Sequence, residues 1–103
     1  MQLAREVYSE TEEFPKSEVF GLRLQLRRAA ISVPSNIAEG HGRLTDPQLR
    51  NALGMARGSL YELQSQLELA GDMRYLNKDS VKRLDGLAIE VAKLINGLLG
   101  VLG

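Results

Sequence analysis

The sequence predicts an all-α fold, an antiparallel up-down-up-down bundle of four helices that associates with copies of itself, and three observations predict it. Leu49, Leu53, Ala56, Leu60, Leu63, Leu67 and Ala70 are spaced alternately by four and three, which is a heptad seam. A second seam, Val81, Leu84, Ala88, Val91, Ile95, Leu98 and Leu102, alternates three and four, with Leu87, Leu94 and Leu99 widening it. Helix-stopping and helix-capping residues divide the chain into four segments, and no strand pattern of useful length occurs.

Each element follows in order. Leu3, Val7 and Tyr8 make a short first helix, which Phe14 and Pro15 bring to a stop. The second helix is expected from Val19 to Ala38, with one stripe of Val19, Leu22, Leu26, Ala29, Val33 and Ile37. Phe20, Leu24 and Ile31 form another beside it, and a helix apolar on two sides must be buried on two sides, which in so small a bundle calls for a second chain. Gly40 and Gly42 end this helix. Thr45 or Asp46 then caps the third, with Pro47 in its first turn and Gln48 closing a capping box. Gly71 falls where a left-handed residue past the third helix is expected, and Asn77 or Asp79 caps the fourth. Short connections favour antiparallel neighbours.

Composition bounds the rest. The 103 residues make one domain, 1–103, small enough that its stability margin is modest or assisted by partner chains. Without cysteine there is no disulfide framework, thiolate metal site or cysteine nucleophile, so a reducing cytoplasm is the expected compartment. No apolar run is long enough to span a bilayer, so no membrane partner is expected. The net charge is zero but uneven: residues 1–18 carry an excess of glutamate, and residues 19–57 carry six arginines against Glu39 and Asp46.

The stretch "ISVPSNIAEGHGR", Ile31 to Arg43, combines a proline, two glycines and the only histidine. Pro34 has no N–H and crowds the carbonyl of Ala30, so a helix through it must bend or open. Asn36 can donate and accept, which suits a residue tying that kink to a neighbouring helix. Glu39, opposed by the dipole at a helix C-terminus, needs Arg43, another arginine or a helix N-terminus as partner.

"FPKSEVFGLRLQLRRAAISVPSNIAEGHGR" followed by "LGMARGSLYELQSQLELAGDMRYL" resembles the bacterial four-helix-bundle proteins known as 23S rRNA intervening-sequence proteins, relatives of the accessory variability protein of diversity-generating retroelements. The resemblance runs from about Tyr8 to the fourth helix and implies a homopentamer, a cytoplasmic setting and no established catalytic activity. For the retroelement relatives it also implies binding of nucleic acid and of a reverse transcriptase. Relatives carry another turn or more before the region matching Met1 to Arg5, so the first helix is expected to be incomplete.

Arg23, Arg27, Arg28, Arg43, Arg50 and Arg57 are the candidate nucleic-acid contacts, because planar guanidinium groups match phosphate. Antiparallel packing about a turn near Gly42 would set Arg27 and Arg28 level with Arg57, and Arg23, Arg27, Arg50 and Arg57 in one stripe. The competing reading pairs these arginines with acidic residues of helices one and four, or across subunits. Gly54 and Gly58 inside the third helix call for close helix approach, with Ala29, Ala30 and Ser32 as the facing patch, or for a ligand groove. No catalytic, metal or cofactor set emerges: no glutamate stands three before His41, and Ser35 and Ser59 lack a triad. The expected function is a non-enzymatic scaffold that contacts RNA or DNA, or a purely structural partner for another protein.

Overall fold

The computed structural model describes residues 1–102. It holds four α-helices, α1 (Gln2–Glu10), α2 (Leu22–His41), α3 (Asp46–Asp72) and α4 (Lys78–Leu102), with one 3₁₀ turn at Lys16–Glu18 and no strand among the described residues. The core is a single apolar cluster to which every helix contributes, with Leu26, Leu53, Leu60, Leu63, Leu84 and Ile95 fully buried. No helix of the described residues is long and apolar enough to cross a membrane.

The first helix buries Leu3 and Val7 and ends at a residue the apolar pattern does not mark. Thr11 is fully buried, and its hydroxyl donates to the Val7 carbonyl at 2.7 Å. The side chain thus accepts burial because its donor is satisfied inside the terminating turn. Phe14 is buried against Tyr75, ring centroids 5.4 Å apart, which fastens this connection to the turn between α3 and α4.

The second helix starts at Leu22, three residues later than the stripe suggests. The Glu18 carboxylate accepts the Leu22 N–H at 3.0 Å, and Gly21 at φ −105°, ψ −120° breaks the run before it. At its other end the helix passes through Gly40 and stops at His41, so Gly40 does not terminate it. Gly40 is small for a packing reason: a Cβ there would lie 2.9 Å from Leu49 Cδ1 and 3.1 Å from the Ala52 Cβ of α3. Gly42 does follow the last helical residue, but at φ −84° it is not left-handed.

The third helix is capped as its sequence indicates, the Thr45 hydroxyl accepting from the Gln48 N–H and Pro47 sitting in the first turn. Of its seam, Leu53, Ala56, Leu60, Leu63, Leu67 and Ala70 are buried and Leu49 is half-buried. Its end differs from expectation. Gly71 lies inside the helix, and the left-handed residue is Arg74 at φ 62°. The Tyr75 N–H returns to the Ala70 carbonyl at 2.9 Å, so an arginine takes the left-handed position that glycine usually fills. Gly71 instead makes room for α4, since a Cβ there would stand 3.0 Å from Val81 Cγ2. Asn77 Oδ1 accepts the Ser80 N–H at 2.7 Å and caps α4.

The helices meet in four adjacent pairs: α1 with α2, α2 with α3, α3 with α4, and α4 with α1. Between α2 and α3, Gly40 meets Leu49 and Ala52 while Ser32 meets Ser59. Between α3 and α4, Gly71 meets Val81, Gln64 donates to Asp85, and Arg57 donates to Asn96.

Candidate nucleic-acid interface

Six arginines were the candidate phosphate contacts, and each side chain's partners decide what it can still do. Arg27 is the most constrained. Its Nε donates to Thr11 Oγ1 at 2.9 Å, and its Nη2 donates to the Tyr8 carbonyl at 3.0 Å and to Glu12 Oε2 at 3.1 Å. The guanidinium carbon also stands 4.5 Å from the centre of the Tyr8 ring. Arg23 adds a second bond to the same Glu12 oxygen at 3.3 Å. Both side chains are mostly buried, and they form a clasp holding the end of α1 against α2.

The remaining arginines are dispersed. Arg43 pairs with Glu39 one turn before it on the surface. Arg57 Nη1 donates to Asn96 Oδ1 at 3.0 Å, and Arg50 donates to the Leu102 carbonyl, both across to α4. Arg28 is exposed, and no protein partner for it occurs among the described residues. The single four-arginine stripe is therefore corrected. Arg23 and Arg27 turn toward α1, while Arg50 and Arg57 turn toward α4. The register differs as well: Ser32, five residues beyond Arg27, is the residue touching Ser59, so Arg27 lies more than a turn away from the level of Arg57. Of the expected acidic partners only Glu12, just past α1, takes part; Glu39 belongs to α2 itself, and the α4 partners of Arg50 and Arg57 are a carbonyl and an amide oxygen.

Around Pro34 the second helix continues, and Asn36 ties its own turn together. Its Nδ2 donates to the Ser32 carbonyl at 2.8 Å and to the Ser32 hydroxyl at 3.0 Å. The bond to the neighbouring helix expected of Asn36 is made by Ser32, whose Oγ lies 2.8 Å from Ser59 Oγ. Of the partners open to Glu39, it takes Arg43.

Gly54 and Gly58 are also corrected. A Cβ at either would meet nothing within 4 Å, so neither exists for close packing inside this chain. Where α2 and α3 meet, Ser32 touches Ser59 and Gly40 faces Ala52, while Ala29, Ala30 and Ala56 are buried in the core. Periodicity placed the contact on the right helices and on the wrong rotation about α3.

No group of three or more His, Cys, Asp or Glu side chains converges for a metal among the described residues. An open groove of about 690 Å³ runs between α3 and α4, lined by Tyr61, Gln64, Glu68, Asp72, Lys78 and Lys82, with charges of both signs. Sequence reasoning missed Thr11 and Tyr8 as anchors of Arg27. A threonine one position past a helix, followed by Glu12, was the available signal.

Comparison with known proteins agrees with this architecture. A crystal structure of a protein with unknown function from the S23 ribosomal protein family of Bacteroides thetaiotaomicron matches with a TM-score of 0.85 over 95% of this chain and 92% of that chain. Identity is 20%, so the likeness is one of fold. No curated protein matches. Residues 1–97 match the family model described as 23S rRNA-intervening sequence protein. With four helices in this arrangement and nearly the whole sequence inside that match, the chain belongs to the 23S rRNA-intervening sequence protein family.

Proposed function

We propose that the protein is a non-enzymatic, cytoplasmic scaffold: an up-down-up-down four-helix bundle that works as a homo-oligomer, five copies being the number the family resemblance implies. Contact pairs whose numbers rise on one helix as they fall on the next, such as Gly40 with Ala52 and Ser32 with Ser59, support the up-down order. The observation that carries self-association is the apolar surface left outside the bundle. Phe20 is 87% exposed, Leu94 68% and Val101 86%. Leu94, Leu98 and Val101 follow one another along one side of α4 and form a contiguous apolar strip of the kind that marks an interaction surface. Light scattering on the intact protein tests the reading: a mass several times that of one 11.4 kDa chain supports it, and a lone chain at micromolar concentration overturns it.

A second activity, contact with the RNA or DNA backbone, is favoured by the charges that stay uncompensated. The single Glu12 carboxylate is shared by Arg23 and Arg27 and offsets one of their two charges, and Glu39 offsets Arg43. Arg50 and Arg57 instead donate to a carbonyl and an amide oxygen, which leave both positive charges intact. Gly54 between them leaves open space for a phosphate chain to approach. Labelled RNA retained at low salt should be released steeply as salt rises. Arg50→Ala with Arg57→Ala should weaken retention, and unchanged retention by that variant would reject the site.

A further inference from the structure

Helix α1 covers only part of the length of α4. Its Glu10 meets Ser80 and Arg83, and its Glu6 meets Arg83, all in the first turns of α4. At helical spacing the same side of α4 continues from Ser80 and Arg83 through Leu87 to Leu94, Leu98 and Val101. Past the end of α1 this line has no covering helix, and Leu94, Leu98 and Val101 are exposed. Gly97, on the adjoining surface, has nothing within 4 Å of where a Cβ would be.

A second uncovered line runs along the outside of α2, opposite its buried Leu26 and Val33. On the helix it consists of Leu24, Arg28 and Ile31, spaced four and three, and Phe20 precedes it across the break at Gly21. Phe20 and Ile31 are exposed, Leu24 is half-buried, and Arg28 is exposed with no partner among the described residues. On α4, Leu87, Glu90, Leu94 and Leu98 are spaced three, four and four. Glu90 is exposed and likewise has no partner among the described residues.

Read antiparallel, the two lines match at their helical positions: Arg28 falls against Glu90 and Leu24 against Leu94, while Phe20, ahead of α2, continues the line toward Leu98 and the open space at Gly97. The stretch of α4 from Leu94 to Val101 is apolar and uncovered, Glu90 sits at its border beside Gln2 and Glu6 of α1, and the cation of the first line, Arg28, meets this anion. We propose that the outer face of α2 in one copy docks antiparallel on the far half of α4 in a second copy, with Arg28 paired to Glu90 across the interface. This rests on the reading of the protein as a homo-oligomer and names the surfaces that make it. Two different faces meet, so the contact is heterologous: each copy offers both faces, and association continues until a ring closes.

The absence of cysteine gives a direct test on the intact protein. Leu24→Cys combined with Leu94→Cys supplies one thiol on each face, and oxidation with diamide should join most chains into covalent multimers beyond the dimer, reversed by dithiothreitol. Either single variant should give only traces of dimer. Arg28→Glu should shift the mass toward a single chain while circular dichroism stays helical, and adding Glu90→Arg should restore the assembly. A wild-type oligomer that neither cross-links through this pair nor responds to Arg28→Glu overturns the interface while leaving self-association intact. A wild-type protein of single-chain mass overturns both.

Discussion

Arg27 shows how a residue typical of phosphate binding can serve as a strut. Its donors go to Thr11, the Tyr8 carbonyl and Glu12, and its face lies on the Tyr8 ring. Net hydrogen bonds contribute about 0.5–1.5 kcal/mol each and a cation–π contact about 0.5–1 kcal/mol, while Glu12 is largely exposed and adds little. Arg27→Ala should therefore destabilise the fold by roughly 2–3 kcal/mol in urea denaturation. Arg27→Lys should recover only part of that, because a point charge cannot replace the guanidinium fork. Glycine tells the same story of context. Gly40→Ala drives a methyl into Leu49 and Ala52 and should cost about 1–3 kcal/mol. Gly58→Ala meets open space in a helix interior, so a chain kept monomeric should gain up to about 1 kcal/mol. Equal denaturation midpoints for the two variants would contradict both assignments.

At the scale of the element, side-chain caps mark where α2, α3 and α4 begin, from Glu18, Thr45 and Asn77. Asn77 accepts the Ser80 amide at 2.7 Å, while Ser80 and Arg83 also hold Glu10 of α1. Asn77→Ala should cost about 1 kcal/mol, with Asp in its place restoring most of it; thermal denaturation followed at 222 nm reads the change. The core of α3 is the other controlling feature. Leu63 is fully buried in the middle of the helix that touches both α2 and α4. Leu63→Ala should cost about 2–5 kcal/mol, through lost burial and the cavity it leaves.

For the whole molecule, the four helices are not held equally. The third helix buries seven residues and lies between two long neighbours, whereas α1 has nine residues and buries only Leu3 and Val7. Its remaining ties are polar, through Thr11, Glu12, Glu6 and Glu10. Local opening should follow this gradient: amides of α1 should exchange with deuterium fastest among the helices, and those between Ala56 and Leu67 slowest, as mass spectrometry of exchanged peptides would show. Uniform protection across α1 and α3 would contradict it.

The sequence by itself determined the number of helices, the seam of α3, the pairs from which the caps come, Thr45 or Asp46 and Asn77 or Asp79, and the family. These are local or periodic properties: a spacing of three and four marks the buried side of a helix, and a cap satisfies amides two or three residues away. Only the tertiary structure decided which oxygen each arginine meets, why Gly40 and Gly71 are small while Gly54 and Gly58 face open space, and that Arg74 takes the left-handed turn. The reason is physical. Those outcomes depend on the rotation and register of one helix against another, and a slide of one turn or a modest rotation changes every long-range partner while leaving each helix's own apolar period intact.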